Sequence, residues 1–237
     1  YLFNGDFVKS DGFTAARDTN DNSTFFDHSN YDKDGFKQLN FQGKLGYKIN
    51  DYWKISGQSI YTQYHTSLDA GPFADDKDNI SDNFNNINNL SIYYQKNKWS
   101  FMCTNTFIQA KRKYLDDSTD IGNFYSKFNS TNYKGNTLTN EMYVNYRFYN
   151  SMNLLVGIQN NFIRSSYNYF SVSDFGNYTT GIGDSAKVNN TAIYASFLFS
   201  PIHKMNLDIG ARWNKNSQYG SNATFSINPS YNLDESQ

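Results

Sequence analysis

Two-residue alternation, held over long segments, limits this chain more than any other feature of its sequence. Leu39, Phe41, Leu45, Tyr47 and Ile49 fall on alternate positions, with Asn40, Gln42, Lys44 and Lys48 between them. After Asn50-Asp51 the pattern restarts at Trp53, Ile55 and Tyr61. Side chains of a β-strand point to opposite faces in turn, so each such segment predicts a strand with one oily and one wet face. The oily face must meet either a protein core or lipid.

About ten segments read this way: Tyr1–Lys9, Phe36–Ile49, Trp53–Tyr64, Ile87–Lys96, Trp99–Gln109, Leu138–Tyr149, Asn153–Ile163, Thr191–Ser200, Met205–Trp213 and Thr224–Leu233. Met142, Val144, Tyr146 and Phe148 share one parity, and so do Met205, Leu207, Ile209, Ala211 and Trp213. No segment has a useful helical period. Tight turns are expected at Asn50-Asp51, Asn97-Lys98, Asn150-Ser151 and Pro201 to Lys204. Between them lie long polar segments, Ser10 to Gly35, Thr66 to Asn86, Ala110 to Thr137 and Arg164 to Asn190, all at the opposite end of the strand pairs. Loops beyond about 12–15 residues are uncommon in compact domains. Short turns at one end and long loops at the other characterise an outer-membrane barrel.

Aromatic residues reinforce this orientation. Tyr52, Trp53, Trp99, Phe148 and Tyr149 sit beside the short turns, while Tyr61, Tyr64 and Phe107 approach the long-loop ends. Rings at both strand ends match the girdles that lie at lipid headgroup level. The oily face is therefore expected to point outward. Lys44, Lys54, Gln58, Asp208 and Arg212 then face a hydrated lumen, and Cys103 faces lipid as a small apolar residue. A wet lumen and wet loops account for a mean hydropathy of -0.73 in a chain with 20 Tyr, 20 Phe and 3 Trp. A soluble β binding module, with its apolar parity buried between two sheets, is the rival fold.

Several function classes are disfavoured. Net charge is -1, with no basic run to track a phosphate backbone, so no nucleic-acid partner is expected. One Cys cannot form an intramolecular disulfide, and with three His it makes a zinc site implausible. Catalysis is not expected: His28, His65 and His203 lie in loops, turns or strand ends, with no Gly-x-Ser-x-Gly elbow. The chain opens at Tyr1 without a signal peptide, which suggests a processed protein or an excised piece.

Two segments resemble the barrels of TonB-dependent outer-membrane receptors: Asp34 to Asp78, "DGFKQLNFQGKLGYKINDYWKISGQSIYTQYHTSLDAGPFADDKD", and Tyr194 to Leu233, with its "GAR" strand followed by "NSQYG". Within that family the cobalamin (vitamin B12) branch is the nearest resemblance. It implies an all-β, antiparallel up-and-down transmembrane barrel of about 22 strands, of which residues 1–237 form one partial barrel segment with the plug domain absent. It implies a Gram-negative outer-membrane receptor that takes up a scarce nutrient, with cobalamin first and an iron siderophore or haem next. Its further partners would be outer-membrane lipid, lipopolysaccharide and, through the plug, TonB. A passive porin-type barrel is the alternative within membranes.

Site expectations concentrate in the long loops. Asp69, Asp75, Asp76 and Asp78 lie close together in "DAGPFADDKDN", and the first loop adds Asp18, Asp21, Asp32 and Asp34. Calcium takes six to eight oxygen ligands, so these carboxylates are candidate calcium ligands, a role the resemblance also implies. A solvated acidic loop is the plain alternative. Ligand contacts are expected from Phe13, Phe73, Tyr114, Phe124, Tyr125, Tyr167, Tyr169 and Phe170, whose rings can pack on a large chelate or corrinoid. Lys111 to Tyr114, "KRKY", could meet lipopolysaccharide phosphates or end as a solvated strand tip.

Overall fold

Residues 1–14, 16, 31–71, 75–117, 127–202 and 204–231 are described in a computed structural model. Ten strands follow one another: β1 (Leu2–Ser10), β2 (Phe36–Lys48), β3 (Trp53–Ser67), β4 (Ile80–Lys96), β5 (Trp99–Asp117), β6 (Phe128–Tyr149), β7 (Met152–Ser173), β8 (Gly176–Ile202), β9 (Met205–Asn216) and β10 (Gly220–Tyr231). They form one antiparallel sheet in sequence order, each strand bonded to its chain neighbours. All ten expected strands are present.

Register fixes the two faces. Tyr47, Ile55, Ile92, Cys103, Met142, Ile158, Ile193 and Trp213 lie side by side from β2 to β9. Three positions away along each strand, Lys44, Gln58, Asn89, Thr106, Thr139, Asn161, Asn190 and Asn216 form a polar row on the other face. Among the described residues, none lies over the apolar row. Phe41, Leu45, Val144 and Ile209 are 54%, 58%, 37% and 44% exposed, and the buried apolar side chains among the described residues are Ala16 and Ala192. The β-sandwich reading requires a second layer, and none covers this face. A sheet about 43 Å wide, from nine strand spacings of about 4.8 Å, with an uncovered oily side needs a non-aqueous neighbour, which a bilayer supplies.

The short-turn rim carries the expected rings. Trp53 meets Tyr94 with centroids 4.7 Å apart, and Trp99 meets Tyr146 at 4.4 Å. Tyr61 and Phe107 share the apolar parity near the other end, whereas Tyr64 turns to the polar face. Asn97 takes the left-handed backbone (φ 52) that its tight turn demands. On the polar face, Tyr194 lies across Gly157, where a Cβ would come within 2.4 Å of its ring. That close approach lets the Tyr194 hydroxyl donate to Glu141 at 2.7 Å.

Three of the four expected loops are partly or largely strand. β4 begins at Ile80 instead of Ile87, and β5 runs to Asp117 instead of Gln109. β6 and β7 each span 22 residues, and β8 spans 27. The segment Arg164 to Asn190, expected as a loop, is a tall hairpin that reverses at Asp174-Phe175. The β9–β10 connection at this end is also short, Ser217 to Tyr219. A bilayer-spanning strand needs only about 10 residues, so β5 to β8 rise well beyond the apolar band. Up there both faces meet water, so alternation fades although the ladder continues. Finally, β1 and β10 each bond one neighbour and not each other, so the sheet is an open arc and not a small closed ring.

If the apolar face meets lipid, Met142→Arg in the full-length protein should cost about 2–4 kcal/mol of folding stability, the penalty of a cation near a bilayer midplane. Thr139→Arg, on the polar face, should cost far less. Denaturant titration in lipid vesicles measures both, and equal losses would reverse the assignment of faces.

Candidate functional site

Above the apolar band, on the polar face, the sheet gathers tyrosines. Tyr114, Tyr133, Tyr167 and Tyr169 stand on β5, β6 and β7 with one parity, joined by Tyr178 of β8. Tyr133 lies 4.9 Å from Tyr167 and meets Tyr114 edge-on at 6.4 Å. Tyr169 approaches Tyr178 at 6.2 Å. One cation enters this group. Arg112 sits over the Tyr114 ring at 5.8 Å, bonds its hydroxyl at 3.2 Å and donates from Nε to Asn83 Oδ1 at 2.7 Å. Asn83, Asn85, Arg112, Tyr114 and Tyr133 line an open groove of about 340 Å³. Such a groove offers aromatic faces, amide hydrogen bonds and one guanidinium, suited to a flat, anionic, ring-bearing ligand.

The expected contact residues divide. Tyr114, Tyr167 and Tyr169 come together here. Phe170 does not: it lies one position from Tyr169, so strand parity sends it to the opposite face, where it packs on Phe128 at 5.9 Å. Phe13 is 78% exposed beyond the end of β1, four strands away. Phe73, Phe124 and Tyr125 fall outside the described residues. Arg112, Tyr133 and Tyr178 were not singled out as ligand contacts. Only cross-strand register identifies them, since alternation alone does not align one strand with the next.

The four acidic candidates also divide, each pair gaining a partner from elsewhere. Asp69 and Asp75 converge with Asp32, and Asp76 and Asp78 converge with Asp116 of β5; within each triad the carboxylate oxygens lie within 4.8 Å of one another. Asp75 accepts the Asp32 backbone N–H at 3.2 Å, and Asp69 accepts the Ala16 N–H at 2.7 Å, which ties the first loop to the second. Asp76 is buried. Burial, with Asp78 and Asp116 beside it, pushes its carboxyl up to about 6. Burial and the Asp32 and Asp69 carboxylates also raise Asp75. These donor sets suit a hard divalent cation. The second triad reaches the tyrosines directly, because Asn129 donates to Asp116 at 3.3 Å and accepts from the Tyr169 hydroxyl at 2.9 Å.

His65 pairs with Asp82 at 2.7 Å on the apolar-parity face, away from the tyrosine groove. His28 and His203 fall outside the described residues.

An acid whose folded pKa is raised binds more protons folded than unfolded, so its fold loses stability as pH rises from the unfolded value through the folded one. Without divalent cations, amide protection from Asp75 to Ser81 should therefore decrease between pH 4 and pH 7. Asp76→Asn should reduce that dependence, leaving the part due to Asp75. Hydrogen–deuterium exchange in chelator measures it, and protection rising with pH would contradict the assignment.

Neither a family model nor a curated protein matches the chain by sequence. Solved structures do match in shape. The ferric yersiniabactin uptake receptor of Yersinia pestis superposes with a TM-score of 0.66 at 14% identity, over 99% of this chain and 40% of that one. The siderophore receptor PirA of Acinetobacter baumannii gives 0.65 at 13% identity, over 98% and 36%. A mutant ferric enterobactin receptor of Pseudomonas aeruginosa gives 0.64 at 11%, over 98% and 37%. The chain thus spans about 40% of the length of the first of these. At such identities the likeness speaks for architecture, and the chain has the fold of a section of a TonB-dependent receptor barrel.

Proposed function

We propose that the chain is part of the wall of a Gram-negative outer-membrane receptor that binds a scarce nutrient outside the cell and imports it, the nutrient being an iron–siderophore chelate. The observation that carries this reading is the tyrosine and Arg112 groove, set high on the polar face of a wall whose fold neighbours are named for iron chelates. Import in the intact protein would be driven by TonB through a plug. The preference for cobalamin over an iron chelate changes here: the neighbours named above are ferric-chelate and siderophore receptors, and nothing in the groove calls for a corrinoid. Haem is disfavoured because His65, the described histidine, faces away from the lumen. A passive pore would have no use for an aromatic collar joined by part-buried contacts to an acidic triad.

Tyr133→Ala with Tyr167→Ala in the full-length receptor should weaken iron-chelate binding about tenfold or more, since each ring contributes roughly 0.5–1.5 kcal/mol beyond its buried area. Isothermal titration against ferric siderophores, haemin and cobalamin reads this out. Tight cobalamin binding with no chelate bound would end the iron reading.

The carboxylate triads belong to the same proposal as calcium sites that order the loops beside the groove. Asp32, Asp69 and Asp75 would hold one ion and Asp76, Asp78 and Asp116 a second, with the Asp116–Asn129–Tyr169 contacts passing that order to the tyrosines. Calcium should bind wild type with affinity that falls below pH 6, where protons compete for Asp76. Asp75→Ala/Asp76→Ala should lose it. Calorimetric traces identical for the two proteins would rule calcium out.

A further inference from the structure

The outward face is not apolar throughout. On β5 Asn105 stands on that face between Cys103 and Phe107, and on β6 Asn140 stands between Leu138 and Met142. On β7 Asn160 has Ile158 on one side and Phe162 on the other. Register sets the three amides side by side, with Thr191 of β8 ending the row. Asn105 is midway along β5 between Trp99, at the aromatic rim, and Lys111; Asn140 is midway along β6 between Tyr146 and Lys134. Both therefore lie near the middle of the oily band, where the surrounding molecules are acyl chains.

Strand parity thus puts uncharged polar groups where alternation calls for apolar ones. An amide held in hydrocarbon without hydrogen bonds is costly. The row meets part of that demand itself: Asn105 donates to Asn140, and Asn160 donates to the Thr191 hydroxyl at 2.7 Å. The rest is unmet. Among the described residues Asn105 Oδ1 accepts no bond, Asn140 Nδ2 donates none, and Asn160 Oδ1 is buried without a partner. Lipid tails offer neither donors nor acceptors. A protein surface with amides at the same depth supplies both.

We propose that this stripe is an interface between two copies of the protein within the membrane, with Asn105 and Asn140 at its two-fold axis. Copies inserted with their tall hairpins on the same side are related by a two-fold only along the membrane normal. With that axis between β5 and β6, Asn105 of each copy faces Asn140 of the other. The idle acceptor of one then meets the idle donor of its partner, twice over, and such self-complementarity is what a two-fold contact requires. From β3 to β8 the wall is roughly 24 Å wide, five spacings of about 4.8 Å. Over a band about 25 Å tall this offers roughly 600 Å² per copy, about 1,200 Å² together, enough for a specific contact. The contact requires the apolar face to meet lipid and is independent of which nutrient the lumen takes.

The test uses the full-length protein in lipid vesicles, with Cys103 as its only thiol. Cys103 sits one outward position from Asn105, opposite Met142. Facing sheets pack about 10 Å apart and strands about 4.8 Å, so the two Cys103 backbones come roughly 11 Å apart across the axis. That is beyond a disulfide and within reach of a short, membrane-permeant thiol cross-linker. The protein should cross-link to a dimer, in a yield that stays constant as added lipid dilutes it several-fold. Asn105→Leu/Asn140→Leu should lower the yield about tenfold or more, while Asn161→Leu, on the luminal face, should leave it unchanged. Leucine suits a lipid-facing site, so the double variant is expected to fold, and unchanged iron-chelate affinity checks that it does. A yield that falls with dilution, as random collision requires, would overturn the proposal, and so would an equal yield in the double variant. The dilution series needs no amide substitution, so it decides the matter even where the double variant fails to fold. A monomer in vesicles whose Met142→Arg and Thr139→Arg variants still differ as expected would remove the dimer alone and leave the lipid-facing assignment intact.

Discussion

An oily sheet face with no protein against it is the condition on which this structure rests. A water-soluble β-protein spends that face on a second layer, but here Phe41, Leu45, Val144 and Ile209 look outward from a single sheet. Burial within the chain therefore contributes little to its order. What the fold draws on is the backbone ladder that joins every neighbouring pair from β1 to β10, strongest where water is excluded and unpaired amides are most costly. The polar lumen, the low mean hydropathy and the aromatic rim all follow from turning the apolar parity outward.

That same condition explains what the sequence discloses. Within the bilayer one face meets lipid and the other water, so alternation marks every strand, and Met142, Val144 and Tyr146 announce their orientation unaided. Past the bilayer the contrast disappears. Tyr167, Asn168, Tyr169 and Phe170 then look like loop, although they continue β7 without a break. Phe170, expected beside Tyr169, stands on the opposite face for the matching reason: strand geometry separates the two, whereas a loop would not.

Relations between distant segments are less legible. Asp75 and Asp76 are adjacent in sequence, yet they turn to different triads because Asp32 arrives from the first loop and Asp116 from β5. Composition suggests an acidic cluster; only the folded chain, through contacts between loops and with β5, divides it in two. Patterns along a strand belong to the sequence, and patterns across strands belong to the register.

The height of β6, β7 and β8 has a thermodynamic consequence. Rings borne on loop tips must be immobilised when a guest arrives, at about 0.5–1.5 kcal/mol for each flexible side chain, besides the backbone that carries them. Tyr133, Tyr167, Tyr169 and Tyr178 instead stand on hydrogen-bonded ladder. Their carriers have lost most of that freedom before any encounter, so for the proposed ligand the aromatic collar would be preorganised and a larger share of each contact would remain as affinity.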